Sequence, residues 1–518
     1  MLAIIDSSIR LRIQEWPAEV VSAICASLRI PNQARETAIK ELLWNAKQMP
    51  RTIDLYHVDG EHLVLPRGFY ARLLQGLAAY GLPVEWRDDR RYYEFQPLTG
   101  PEGALRPVEL RDYQEPAVRA LVDYEQGIVE MPTGGGKTQV GLEALRRVDQ
   151  PTLIIVDRSA LAEQWRERIR DVLGAEPGYV GESEVDVRPI TVALRQAIWA
   201  RYEQLEKPRW SLVDVEGTFW DLWGVLVLDE VHHTPAETLQ DIAQRFPARY
   251  RWGLSATPRR DPQLWPITEA IVGPVLHRTT EEEAGDALLR PSVRLLDSDF
   301  EFDYRPTLFE DKTDPETGEA IISQRTGEPV RVRVQNNWTE MVGEMCSSRS
   351  RNLMIAEEVV RHSHAGRRVL VVSRRRKHLR EIGVAIAEVD GNVQTLMLDG
   401  SSKGSRVLEA QQVIAETPGI CVLSTVSEEG FDAPALDVVV IPYPFRNTEV
   451  IVQIVGRVMR AHPGKEEAIV VDIRDPRVGL LASQARQRLQ FYRGQDYEVE
   501  VLGAPPQIST PSVYILAK

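Results

Sequence analysis

Cysteine is scarce: Cys25, Cys346 and Cys421 are the only three in 518 residues. They form no C-x-x-C pair, so a disulfide framework, a zinc ribbon and an iron–sulfur cluster all lack ligands. A reducing cytoplasm is the expected compartment. Long apolar runs are missing too. None approaches the roughly 18 uninterrupted residues of a membrane span. The N-terminal "MLAIIDSSIRLRIQEW" sets acids and arginines where a signal peptide needs an apolar stretch. No membrane partner is expected, and no repeat or low-complexity tract occurs. Positive charge is in deficit, with a formal net charge of −14, which argues against a protein coated in nucleic acid. The deficit is uneven. "EEEAGD" (281–286) is acidic and "SRRRKHLR" (373–380) intensely basic, so a local nucleic-acid path stays open.

What is present is an ordinary soluble composition, 43% hydrophobic and 27% charged. The length suggests three or four domains of about 100–200 residues. Residues 1–105 read as a small α+β domain. "PAEVVSAICASLRI" and "RETAIKELLWNAK" have helical spacing, Asp59-Gly60 joins two strands, and Gly81 closes a further helix. "QPLTGPEGALRP" is a linker. From 106 to 280, apolar runs such as "TLIIVD" and "GVLVLDE" alternate with helical patterns. Runs apolar throughout predict parallel strands buried on both faces of a doubly wound sheet. Residues 281–345 are polar and turn-rich and read as an insertion or connector. A second α/β series fills 346–485, and 486–518 is an ambiguous tail. The expected fold class is α/β, with two doubly wound parallel-sheet domains behind a small N-terminal one.

The chemistry concentrates in a few stretches. "VEMPTGGGKTQVGLEAL" (129–145) follows a strand and opens a helix. Thr133, Gly134, Gly135 and Gly136 would let backbone N–H groups face an anion at a helix N-terminus. Lys137 would reach the β/γ-phosphates of a nucleotide, and Thr138 would set its hydroxyl on Mg²⁺. Met131 stands where the generic phosphate-loop pattern has glycine. "VLVLDEVHHTPA" (225–236) ends a buried strand in Asp229 and Glu230, 92 residues after Lys137. Asp229 would bind the metal directly or through water, and Glu230 would orient or activate the attacking water. A metallohydrolase is the alternative, but its H-E-x-x-H motif sets two histidines one helical turn apart. Adjacent His232 and His233 cannot share a helix face in that way. Arg457 and Arg460, three residues apart, would share one face if helical and suit a triphosphate. The basic run Arg374–Lys377 reads equally as a solvated turn or a phosphate contact. Trp165 and Trp199 read as core.

"PTGGGKT", "DEVHH", "LSATP" and "QIVGRVMR" stand in the order and spacing of superfamily 2 helicases of the DExH kind, and the resemblance covers roughly 106–485. It implies two RecA-like domains, with ATP and Mg²⁺ as cofactors. "LRDYQ" (110–114) resembles the Q motif, which implies that Gln114 reads adenine with Arg111 nearby. "VDRSALAEQW" (156–165), with Arg158, resembles the first strand-contact motif and "ITVALRQAI" the next. Ser255 and Thr257 match the motif that couples hydrolysis to strand binding. His232 matches the position that links the nucleotide site to that motif and to Gln453. "VLVVSRRRKHL", with Arg374, resembles motif IV. "LSTVSEEGFDAP" (423–434) resembles motif V, with Thr425 at the phosphate backbone and Glu429, Gly430 and Asp432 near ribose and interface. Gln453, Arg457 and Arg460 match motif VI. His233 is left over, with packing as its default.

The wording "LRDYQEPAVRAL…GLSATPRRD" is closest to XPB-like and phage UvsW-like DNA helicases, which carry a small N-terminal DNA-binding domain. "RRD" (259–261) resembles their Arg-Glu-Asp element, but Arg260 stands in its middle. The function implied is an ATP-dependent helicase or translocase on single-stranded, duplex or branched DNA, in repair or recombination. Two further readings stay open. One is an RNA helicase. The other is a non-unwinding duplex translocase in a repair, restriction or defence complex, with a separate protein partner such as a nuclease.

Overall fold

The computed structural model describes residues 1–40, 47–94, 98, 105–213, 215–259, 261–305, 308–311, 320–322, 329, 331–334, 336–398, 404–425, 433–446 and 448–502. The chain divides near residue 288 into two compact units. Among the described residues, no helix is long and apolar enough to cross a membrane.

The first unit begins with a five-stranded sheet. Its spatial order is His57–Asp59, His62–Pro66, Ser8–Arg12, Leu2–Ile5, Glu85–Asp88. Alternation puts Ile5, Ile9, Leu11, Leu63 and Leu65 on one face, where Val20, Ile24, Leu73 and Leu77 of two helices cover them. Gly60 (φ 55°) makes the hairpin turn, and Gly81 (φ 63°) ends helix Tyr70–Tyr80.

An eight-stranded sheet follows in the same unit. Its order is Val185–Asp186, Gly178–Val180, Ile190–Leu194, Thr152–Val156, Val225–Asp229, Tyr250–Ser255, Gln126–Glu130, Val275–Arg278. Every neighbouring pair is parallel except the one at the short edge strand 185–186. Thr152–Val156 is buried at all five positions, as expected of a strand covered on both faces. Trp199 departs from its expected core place and is 44% exposed. Its short helix Arg195–Ala200 buries Ala197 and Ile198 instead.

Two fully buried arginines hold the N-terminal sheet against this larger one. Arg67 donates to the side chain of Gln126 and to the carbonyls of Asp6, Ala248 and Arg249. Arg251 donates to the carbonyls of Ile271, Phe246 and Ser7. Burial lowers the pKa of both, and the carbonyl dipoles supply the solvation that water would otherwise give. Between them the backbone closes tightly. A Cβ on Gly68 would lie 2.4 Å from Glu269 O and 2.5 Å from Ala270 O.

The second unit is built on seven parallel strands. Their order is Thr395–Leu398, Cys421–Ser424, Val369–Val372, Val438–Ile441, Ala468–Arg474, Pro291–Asp297, Glu498–Leu502. Two expectations change here. Pro291–Asp297 fell in the segment read as a connector, yet it is an interior strand of this sheet. Only alternate residues of it are buried, so it shows no continuous apolar run. Within the same segment, Leu308–Asp311 pairs antiparallel with Arg331–Val334, and helix Trp338–Ser347 buries Met341, Val342, Met345 and Cys346. The ambiguous tail contributes helix Gly479–Gly494 and edge strand Glu498–Leu502. The bidentate, buried Arg488–Asp472 pair ties helix Gly479–Gly494 to the sheet, and the Arg351–Asp475 pair ties helix Arg349–His364 to the end of strand Ala468–Arg474.

Gly68→Ala is expected to destabilise the protein by about 1–3 kcal/mol, because backbone rather than side chains must move. Gly76→Ala, inside helix Tyr70–Tyr80 with nothing within 4 Å, is expected to be neutral or stabilising by about 0.5–1 kcal/mol. Paired thermal melts read both.

Candidate active site

Parallel strands deliver their C-terminal ends to one edge, where loops are free to carry chemistry. Residues 131–136 leave strand Gln126–Glu130 and open helix Lys137–Val148. Met131 N donates to Ser255 O at 3.1 Å, tying the loop to the neighbouring strand end. The Met131 side chain is fully buried, which accounts for an apolar residue where the generic pattern has glycine. Gly134 and Gly136 sit at φ 88° and 89°, open to glycine at little strain.

Gln114, expected to read adenine, also contacts the loop. Its Nε2 donates to Gly135 O at 3.0 Å and its Oε1 accepts from Arg111 N at 2.9 Å. One end of the amide therefore braces the loop and the other caps its own turn. A Cβ on Gly136 would lie 2.1 Å from Gln114 Nε2. Tyr113 Oη also donates to Gly135 O, at 3.0 Å. Beside this brace lies a cavity of about 640 Å³, lined by Arg111, Tyr113, Pro116, His277 and Glu283.

Strand Val225–Asp229 ends at the two acids, and Glu230 adopts a left-handed φ of 49°, a strained conformation for a side chain with a Cβ. Trp165 Nε1 donates to Asp229 Oδ2 at 2.8 Å. Trp165 is thus core, as expected, and it also orients the first acid, a contact no pattern in the sequence marks. Ser255 Oγ donates to Glu230 Oε2 at 3.2 Å, accepts from Thr257 N at 3.1 Å and lies 3.3 Å from His232 Nδ1. His232 Nδ1 is also 3.2 Å from Glu230 Oε2. Lys137 Nζ stands 4.0 Å from Glu230 Oε1.

Burial raises the Asp229 pKa to about 6, with the Glu230 charge acting in the same direction. Burial also acts to raise Glu230, but Lys137, His232 and Ser255 outweigh it and hold that acid ionised. Among the described residues no group of three or more His, Cys, Asp or Glu is arranged to hold a metal. The donor set fits Mg²⁺, which keeps waters and takes one or two carboxylates plus phosphate oxygens. The unneutralised charge at Asp229, the loop of N–H groups and the lysine together fit a nucleotide phosphate chain with its cation.

Arg158 is half-buried ahead of helix Ser159–Arg168. Thr138 follows Lys137 in the first turn of its helix. In the second unit, Thr425 is buried and its N–H donates to Leu398 O at 3.3 Å. Arg374 is exposed, with its guanidinium 5.5 Å from the Phe445 ring centroid. Gln453 lies in helix Thr448–Gly456. That helix stops before Arg457, whose N–H donates to Ile454 O, while Val458 N–H donates to Val455 O. The expected sharing of one helix face by Arg457 and Arg460 is therefore corrected: a tight turn carries the first, and the second follows it. Lys465 Nζ holds this segment through the carbonyls of Val458 (2.6 Å) and Arg460 (2.9 Å). Arg260, Glu429, Gly430 and Asp432 lie outside the described residues.

Residues 107–260 match the family described as "Type III restriction enzyme, res subunit", and residues 351–462 match "Helicase conserved C-terminal domain". The chain belongs to the superfamily 2 helicases. This helicase is similar to "DNA 3'-5' translocase XPB2" of Sulfurisphaera tokodaii, 35% identical over 42% of this chain and 49% of that one. It spans about half the length of that relative. It is also similar to "Probable helicase D10" of Escherichia phage T5, 25% identical over 72% of each chain. "The crystal structure of T4 UvsW" aligns over 97% of this chain and 99% of that one, at 16% identity and a TM-score of 0.38, too low to argue the fold from.

For this helicase the Asp229 pKa sets a stability test. A carboxyl raised on folding opposes folding fully above its folded pKa, and the penalty vanishes below its unfolded one. In nucleotide-free protein, Asp229→Asn is therefore expected to raise Tm above about pH 6. The gain should disappear as pH falls from there toward the unfolded value of 3.8. Melting curves of both proteins across that window check it.

Proposed function

We propose that this helicase is an ATP-dependent motor that moves along or remodels DNA. The observation that carries the reading is the convergence of Lys137, Asp229, Glu230, His232 and Ser255 at neighbouring strand ends, behind a glycine loop braced by Gln114. In this reading the N–H groups of residues 133–138 and the Lys137 ammonium hold the β/γ-phosphates. Thr138 and Asp229 would hold Mg²⁺, which would supply positive charge beside the phosphates. Glu230, kept ionised, is the base that orients water. The 640 Å³ cavity between Tyr113 and His277 takes the base, so that Arg111 and Tyr113, more than the Gln114 side chain, face it. His232 and Ser255 report the state of Glu230 to Thr257. Family resemblance assigns Gln453, Arg457 and Arg460 to the same hydrolysis, and Arg158, Arg374 and Thr425 to the strand.

DNA is favoured over RNA by the likeness to a relative described as a DNA translocase. That description also supports translocation without unwinding as a second reading. Residues 1–105, carried on the ATPase unit, are the proposed additional DNA contact. Three free thiols, two of them buried, support a reducing compartment such as the cytoplasm.

ATP hydrolysis measured with single-stranded, duplex, forked and branched DNA and with RNA tests the proposal. DNA is expected to stimulate it, and Lys137→Ala to remove about 10²-fold or more of the rate. Full stimulated activity in Lys137→Ala would sink the reading. Displacement of a triplex without separation of a fork would favour the translocase.

A further inference from the structure

His233 has no place in the nucleotide chemistry, yet the structure sets it between two working edges. Its N–H donates to Glu230 O at 3.1 Å, inside a tight turn closed by Thr234 N–H and Thr234 Oγ1 on Val231 O. The His233 ring lies against the His232 ring, centroids 4.2 Å apart. On its far side, His233 Nε2 is 3.6 Å from Asp157 Oδ2. Asp157 Oδ1 accepts from Arg195 Nε, and Arg195 Nη1 donates to Thr238 Oγ1 at 2.5 Å.

The sheet order explains this placement. The phosphate loop, "LSATP" and "DEVHH" follow strands Gln126–Glu130, Tyr250–Ser255 and Val225–Asp229. Asp157 and Arg195 follow the next two, Thr152–Val156 and Ile190–Leu194, whose last residues pair in register. These are the stretches that resemble the strand-contact motifs. His233 therefore occupies the step from the nucleotide half of the edge to the nucleic-acid half. Asp157 and Arg195 are not loose surface ions, because their side chains are only 15% and 20% exposed. A shift of Glu230 moves the His233 backbone directly through the shared turn, and ring packing carries the His232 position to the same residue.

We propose that His233 is a positioning residue that couples the nucleotide site to the nucleic-acid-contacting edge through Asp157 and Arg195. The proposal rests on the motor reading above and adds a route for its coupling.

The test compares ATPase rates without nucleic acid and with saturating single-stranded DNA, alongside DNA affinity and Tm. In His233→Ala the basal rate is expected to stay within about twofold of the parent, while the stimulated rate falls about tenfold, within the usual range of site-to-site coupling. DNA affinity should change little. His233→Leu keeps the bulk without the nitrogens and should behave alike, which covers the case where alanine impairs folding. His233→Gln, whose amide offers a donor toward Asp157, should recover at least about half of the stimulation. Adding Asp157→Asn to His233→Ala should cause no further loss of stimulation, since members of one path are non-additive. Undiminished stimulation in both His233→Ala and His233→Leu overturns the proposal. So does a basal rate that falls in step with the stimulated one, which marks a merely structural role. If the parent protein responds to no nucleic acid, the motor reading fails first, and the coupling falls with it.

Discussion

Two carboxylates on consecutive residues, both turned into a half-buried strand end, repel each other, and the first unit is organised around that repulsion. Asp229 and Glu230 leave the sheet together. Low surrounding dielectric magnifies their mutual penalty. The protein meets it unequally. Glu230 gains Ser255, His232 and the approach of Lys137, whereas Asp229 receives an indole N–H, the N–H of Glu230 and a pull from Lys137 that does not offset its burial. One acid is thereby held ionised, and the other carries the larger share of the burial penalty.

The same asymmetry explains why so many groups meet at Ser255. Its hydroxyl sits among a carboxylate, an imidazole and a backbone N–H, and its carbonyl accepts from Met131 at the start of the phosphate loop. A single small residue at a strand end thus touches the loop, Glu230 and the segment that follows. Larger side chains have no room there, because Ser255 is fully buried.

Most of this was legible before any coordinates. Lys137, Asp229, Glu230, His232 and Ser255 announce themselves because phosphate chemistry demands particular residues at particular offsets from apolar strands. What escaped was set by tertiary contact alone. Trp165 reads as an ordinary aromatic on an amphipathic helix, and only the fold turns its N–H toward Asp229. The hold of Gln114 on the loop through Gly135 O likewise depends on the fold. Pro291–Asp297 hid because a strand buried at alternate positions within a polar stretch lacks the continuous run that marked the other strands. Arg457 and Arg460 were read on a helix from their spacing, but spacing does not say where a helix stops.

The junction between the N-terminal sheet and the ATPase sheet has a consequence for domain exchange. Arg67 and Arg251 each reach across to the other sheet's backbone, and Gly68 admits no side chain against the turn at Ala270. Domains joined by flexible tethers shuffle freely between genes. Here a foreign N-terminal module would cost Arg251 one of its three carbonyl acceptors unless the Ser7 carbonyl, Arg67 and Gly68 came with it as a set. Replacing the N-terminal part with a foreign module therefore has to preserve these contacts as a set, whereas residues on its outward face are free of that constraint.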